Sequence, residues 1–328
     1  MNQSIDVAPC FASHPLKFSL VTTRNSQHVA YYDRLGQLTV ASRRIDSNEW
    51  SKQWLPEKVA WDSHCGIEMA IDPQGDLHLC ANMHGSRLRY YRSRPWGKLT
   101  ESKMAGYQED RCTYPQFITT ESGSFVFMYR FGTCGDGFHI VNRLDHDGRW
   151  ARLSTIFDGE GVRNAYPVYR DGHIVYTWRE GTDCALNTLL CYAYTPDFVN
   201  WSRDCPPYTM ADSEVVDPVP LHGGLLNGST KIGWDSGILI LSYHKYDEDG
   251  ILQVYHARKR FPGWLIEQMT AFNEKRTFSG PGTINKPLTI DQFDRPKPGW
   301  RLKWDKRPAN RDKPRDRHHT SMLRVIHD

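Results

Sequence analysis

Apolar and polar residues alternate along most of this chain in short runs, and glycine-bearing turns separate the runs. A period of two sends successive side chains to opposite faces of a strand, so each run reads as β. Five stretches share one order: a strand, a glycine turn, an alternating strand, a further strand, then tryptophan. They are HVAYYDRLGQLTVASRRIDSNEW, IEMAIDPQGDLHLCANMHGSRLRYYRSRPW, FITTESGSFVFMYRFGTCGDGFHIVNRLDHDGRW, VYRDGHIVYTWREGTDCALNTLLCYAYTPDFVNW and IGWDSGILILSYHKYDEDGILQVYHARKRFPGW. The turn glycines are Gly36, Gly75, Gly123, Gly172 and Gly237, and the closing tryptophans are Trp50, Trp96, Trp150, Trp201 and Trp264. No long stretch keeps the i, i+3, i+4, i+7 spacing of an amphipathic helix. A unit of ~40–50 residues holding several strands has the length of one β-propeller blade. The chain is therefore expected to be all-β, a single β-propeller domain over residues 1–328.

Five units are explicit. The strand KFSLVTT near the N-terminus and TSMLRVIHD at the C-terminus are suited to close the ring in a shared blade. The remaining length has room for up to two more blades, so seven are expected, with five or six as the alternatives. A pair of β-sandwiches would not produce regular glycine-to-tryptophan units. The endings LDHDGRW and TPDFVNW are degenerate versions of the Asp-box turn of sialidase-type blades.

Composition narrows the class. Hydrophobic residues make up 39%, with 11 Trp and 16 Tyr, which fits many short strands and wet, tyrosine-lined surfaces. A net charge of +3 does not argue for nucleic acid, and no RNP-like signature is present, so no nucleic-acid partner is expected. Residues 294–317 carry ten Lys/Arg against four Asp/Glu and read as a basic, proline-rich loop before the ring-closing strand. No apolar run approaches the ~18 residues that would cross a membrane, and no membrane partner is expected. The start MNQSIDVAPCFASHPLKFSL lacks the basic and apolar regions of a secretory signal, which points to the cytoplasm or to a leader already removed. Eight cysteines without CxxC spacing favour free, mostly buried thiols. A monomer is expected.

Function on a propeller resides in loop ends rather than in the fold, so polar residues at matching places in successive units carry the search. His64 in WDSHCG precedes the innermost strand of its unit, and His84 in ANMHG ends the next strand. Tyr114 in CTYPQF and Arg130 in FMYRFG take the matching places one unit later. Tyr166 in NAYPVY and Arg179 in TWREG repeat the pair. These six are expected on one rim, with Lys245 and Tyr246 of YHKYD joining from the fifth unit. His78, mid-strand between Leu77 and Leu79, is expected to pack in the structure instead.

The runs SHCGIEMAIDPQGDLHLCANMHGSRLRYYRS, TYPQF, MYRFGTCGDG, RNAYPVY, TWRE and YHKYD together resemble the polysaccharide lyases of families 24 and 25, the ulvan lyases of the BNR-repeat superfamily. The likeness spans about residues 28 to 275. The sequence departs from it where Cys65 and Gly85 follow the two histidines in place of asparagine, and in a shorter C-terminal part. The resemblance implies a seven-bladed propeller that cleaves a uronate-containing acidic polysaccharide or oligosaccharide by β-elimination. It implies Arg130 as the group that neutralises the uronate and His64 with Tyr114 as the proton-transfer pair.

The chemistry is consistent with those residue types. Elimination removes the proton on C5 beside the carboxylate and expels the 4-linked sugar. A fixed arginine offsets the carboxylate charge bidentately. Histidine and tyrosine supply base and acid once their surroundings tune them. His84, counted with the catalytic residues, and Tyr166 would orient the uronate or share in proton transfer, with Arg179 beside them as a substrate-binding residue. The alternatives are a sialidase-like glycoside hydrolase, which wants an arginine triad and a Tyr/Glu pair, and a non-catalytic glycan-binding propeller. No cofactor is expected to be required. HExxH is absent, and a structural divalent ion between blades is left open by scattered His and Cys.

Overall fold

The structure, a computed structural model, describes residues 3–13, 16–203, 206–282, 284–290, 299–304 and 319–327. Strand β1 (Gln3–Phe11) comes first. Blade one holds β2 (Ser19–Thr22), β3 (Ser26–Tyr32), β4 (Gln37–Arg44) and β5 (Ser51–Lys58). Blade two holds β6 (Ile67–Ile71), β7 (Leu77–Ala81), β8 (Tyr90–Ser93) and β9 (Thr100–Glu101). Blade three holds β10 (Cys112–Thr119), β11 (Phe125–Thr133), β12 (Asp136–Leu144) and β13 (Trp150–Ile156). Blade four holds β14 (Arg163–Arg170), β15 (His173–Glu180), β16 (Asn187–Tyr194) and β17 (Glu214–Asp217). Blade five holds β18 (Lys231–Asp235), β19 (Ile238–Tyr246), β20 (Leu252–Lys259) and β21 (Trp264–Gln268), and two strands follow, β22 (Trp300–Lys303) and β23 (Thr320–His327). Each blade is an antiparallel sheet with its strands in chain order, and the sixth sheet runs β1-β23-β22. The fold is an all-β propeller.

Alternation works on both faces at once. In β11, Phe125, Phe127, Tyr129 and Phe131 pack with Cys80 and Tyr90 of blade two. The intervening Val126 and Met128 pack with Tyr176 and Trp178 of blade four. Every second residue thus feeds one of two inter-blade cores, which is why the strand is apolar throughout. His78 belongs to this packing: it is buried, with Nδ1 2.7 Å from the Tyr90 hydroxyl and Nε2 2.9 Å from Asp72 Oδ2. Trp150 donates its indole N–H to the same Tyr90 oxygen at 3.0 Å, tying blade three to blade two.

Three expectations are corrected. Six sheets form among the described residues, not seven blades. Residues 269–282 and 284–290, after β21, contain no strand; their backbone is used by side chains, with Phe272 N–H donating to Gln253 Oε1 and Gly280 N–H to Asp183 Oδ1. The C-terminal strand pairs with β1 and not with KFSLVTT, which supplies β2 of blade one. The segment 294–317 includes a strand, β22, that pairs with β23, while most of the basic loop lies outside the described residues.

The repeat is also out of phase in its first unit. Gly75, Gly123, Gly172 and Gly237 turn the first strand of a blade into the second, whereas Gly36 turns the second into the third. The tryptophans keep a common phase, between the third and fourth strands or at the start of the fourth. The seven described cysteines are all thiols, six of them buried and Cys134 half-buried, and Cys205 lies outside the described residues.

Candidate active site

The six rim residues lie where first strands begin and second strands end in blades two to four. His64 occupies the turn before β6. Its N–H donates to Asp62 Oδ1 at 2.9 Å, and Cys65 N–H donates to the Asp62 carbonyl. Cys65 is buried and its carbonyl accepts from the Tyr32 hydroxyl at 2.9 Å, so the turn is pinned to blade one and His64 is left on the rim. His84 follows β7 in a turn where Asn82 and Gly85 have positive φ, and Gly85 N–H donates to Thr113 Oγ1 at 2.8 Å.

Both imidazoles share one carboxylate. His64 Nδ1 is 2.6 Å from Asp62 Oδ1 and His84 Nδ1 is 2.5 Å from Asp62 Oδ2, and the rings stack with centroids 3.9 Å apart. Burial works against an ionised Asp62, but the hydrogen bonds from His64 and His84 outweigh it and hold its carboxyl well below the usual carboxylate range. An ionised acceptor takes N–H from each Nδ1, so each Nε2 is the ring nitrogen not engaged by the carboxylate. The ligand atoms of Asp62, His64 and His84 lie within 4.8 Å of one another, the spacing of a metal-ligand group. With both carboxylate oxygens already engaged, the trio as it stands is a closed hydrogen-bond cluster.

Tyr114 owes its position to a defect in the ladder. Thr113 pairs with Arg130 and Gln116 with Met128, so β10 carries one extra residue against β11 at Tyr114–Pro115. Tyr114 has φ +57°, a conformation that costs a non-glycine residue of order 1–3 kcal/mol. Proline at 115 reinforces the departure, because the residue before proline is disfavoured in the right-handed α region. Blade four has no such bulge: Asn164 faces Arg179 and Tyr166 faces Thr177 in regular register. The two tyrosines matched by sequence therefore differ in ladder position, although their rings lie 6.0 Å apart. Burial raises the phenol pKa of Tyr114 against the opposing charges of Arg130 and Arg179, and burial raises that of Tyr166 too.

Arg130 is 2% exposed. Its guanidinium lies over the Tyr114 ring at 5.0 Å and makes no ion pair or hydrogen bond among the described residues, Asp136 included. Gly132, at φ +109°, supplies the close turn just beyond it, where a Cβ would strike the Asp136 carbonyl. His139 pairs with Arg130 across β11 and β12, and burial, then the Arg130 charge, hold it neutral with a pKa of about 3. Arg179 sits over Tyr166 at 4.6 Å and donates to Asn227 Oδ1 at 3.2 Å and to Cys134 Sγ at 2.6 Å.

His64, His84, Tyr114, Arg130, Tyr166 and Arg179 all line one cavity of about 260 Å³. Cys134, Asn227 and Lys286 also line it, and no Asp or Glu is among the lining residues. The cavity is thus a cationic socket with two imidazoles and two phenols on its wall. Lys245 and Tyr246 do not line it. The Lys245 ammonium is held 2.6 Å from Asp217 Oδ2 and lies over the Tyr255 ring, while Tyr246 packs beside Phe278. Sequence reasoning missed Asp62, whose D-x-H spacing is the signal of a side chain that accepts from the backbone two residues on. Cys134 sits within the third unit, in the turn between β11 and β12, while Asn227 and Lys286 come from segments outside the units and carry no periodic signal.

Among curated proteins no sequence relative matches the chain. Solved structures are similar in fold. Polysaccharide lyase Uly1 is 15% identical with a TM-score of 0.69, covering 99% of each chain. A PL25 ulvan lyase bound to -[GlcA(1-4)Rha3S]- is 14% identical with a TM-score of 0.60, covering 83% of this chain and 76% of that one. Residues 26–272 match the BNR repeat-containing family, and the chain belongs to that family, on a propeller fold shared with these lyases.

Proposed function

We propose that this protein is a polysaccharide lyase that cleaves a uronate-containing acidic glycan by β-elimination. The observation that carries the reading is Arg130, a buried guanidinium without an anionic partner among the described residues, facing a cavity whose lining has no carboxylate. A cation left unpaired in that setting is matched by an anionic group on the ligand. The fold likeness to a lyase bound to -[GlcA(1-4)Rha3S]- supports the choice of a uronate as that anion.

In this mechanism Arg130 binds the uronate carboxylate and offsets the charge that builds up as C5 is deprotonated. His64, through Nε2, takes the C5 proton, since Asp62 holds its other nitrogen. Tyr114, kept protonated by burial, gives its proton to the oxygen leaving C4. The C5–H and C4–O bonds break, C4=C5 forms, and the phenol is reset by the proton on His64. His84 and Tyr166 orient the sugar, and Arg179 supplies a second cation.

The test is direct. The protein is mixed with ulvan, glucuronan and heparan sulfate, and the ultraviolet absorbance of unsaturated uronate is followed alongside reducing ends. Absorbance that rises with one polymer and is abolished in His64→Ala supports the reading. New reducing ends without absorbance would replace it with hydrolysis.

A further inference from the structure

A second cleft, about 410 Å³, opens between blades one and two. It lies at the opposite ends of the strands from the candidate active site. Thr23 and Asn25 join β2 to β3, Gly75 joins β6 to β7, and Pro95–Gly97 join β8 to β9, whereas His64 and His84 sit at the start of β6 and the end of β7. The floor is aliphatic, with Leu77 and Leu99 buried, and again no Asp or Glu lines the space.

Its rim holds a costly residue. Gly97 N–H donates to the Arg94 carbonyl at 2.9 Å, closing a turn with Pro95 in the second place and Trp96 in the third. Trp96 has φ +60°. That place in a type II turn suits glycine or asparagine, because a Cβ is strained there. Burial does not compensate, since Trp96 is 61% exposed. The His28 ring stands 6.0 Å from the indole, held by Ser42 Oγ at 2.8 Å and Ser26 Oγ at 3.1 Å. By contrast, the Lys52 and Lys98 ammonium groups, the Asn25 carboxamide and the Trp96 indole N–H make no hydrogen bond or ion pair among the described residues.

We infer that this cleft is a second, non-catalytic binding site for an acidic polysaccharide chain, with the Trp96 face stacked on a sugar ring and Lys52 and Lys98 meeting its carboxylate or sulfate groups. An exposed indole held open at an unfavourable φ matches a sugar face, and unpaired ammonium groups in a cleft lined by no carboxylate match its anions. The inference rests on the proposed function only for the class of polymer. A site on the far face would keep a long chain tethered while its other parts reach the candidate active site.

The experiment measures binding of ulvan, glucuronan and heparan sulfate to Arg130→Met protein, in which the other site is disabled, with and without Trp96→Gly. Glycine suits the turn, so the second change leaves folding intact, and thermal melting checks this. Retained binding of one polymer by Arg130→Met, weakened about tenfold or more by Trp96→Gly and restored by Trp96→Phe, is expected. Equal binding with and without Trp96, or binding of none of the three polymers by Arg130→Met, would overturn the inference. Binding through Trp96 by a parent protein that forms no unsaturated product would sink the lyase reading and leave this one standing.

Discussion

Arg130→Met separates a charge kept for a ligand from a charge kept for the fold. Methionine preserves an unbranched apolar stem at a position that is 2% exposed, so the packing around β11 changes little. What disappears is the guanidinium. A fixed cation about 4 Å from a developing negative charge is worth ~4 kcal/mol at an effective dielectric near 20. Removing one preorganised stabiliser of this kind typically costs ~10²–10³ in turnover. Stability responds differently, because no ion pair among the described residues is broken. The lost contact with the Tyr114 ring, worth ~1–2 kcal/mol, is offset by removal of a buried unpaired charge. The melting temperature is therefore expected to stay within ~4 °C of the parent. His139 provides an internal check: burial still depresses its pKa below the ordinary 6.5, but loss of the Arg130 charge lets it rise from about 3, which imidazole NMR titration would detect. The assay pairs the rate of unsaturated-uronate formation with thermal melting. A rate within about threefold of the parent, under ~1 kcal/mol in barrier, would refute the role given to Arg130. A large fall in melting temperature would instead make it structural.

Asp62→Asn removes the ionised acceptor that holds both His64 and His84, and a fall in turnover of ~10–100-fold is expected with the fold retained; turnover above half the parent value would mean the carboxylate does not orient them. Lys245→Ala is expected to leave turnover unchanged, since its ammonium is bound to Asp217 away from the cavity, yet to lower stability by ~1–3 kcal/mol by stripping a partner from that carboxylate; denaturant melts and rates together check both halves. Acid should destabilise the protein through buried imidazoles. Burial holds His139 at about 3 and His244 at about 4 in the folded chain, against an ordinary value of 6.5, so the unfolded chain binds more protons between those values. Stability is full above pH ~6.5 and falls as pH drops toward ~4 and then ~3; melting temperatures flat across that range would contradict the assignment.

Much of the architecture was legible because the physics is local. Strands buried on both faces must be apolar at every position, as in β11, and turns need glycine or a tolerant residue, so the units show in the letters. The phase of the first unit was not legible, since Gly36 has the same local chemistry as Gly75 while joining different strands. The six rim residues could be read from repetition, which carried them to one cavity. Lys245 could not be placed that way: its environment is set by Asp217, a residue at the end of another blade. The number of sheets was also hidden, because the length assigned to a further blade is taken up by backbone that bonds to the side chains of Gln253 and Asp183.

The extra residue in β10 gives Tyr114 an unusual kind of inheritance. Its orientation depends on the count of residues in its strand as well as on the letter at its position, so deleting one neighbour would restore a regular ladder and turn the phenol away with no substitution at all. Exchange of single residues explores side chains but leaves this count untouched. Descent along this branch of the family is therefore best traced by insertions and deletions in the first strand of blade three. Two chains that both align a tyrosine here would present its ring alike only if their ladders break at the same rung.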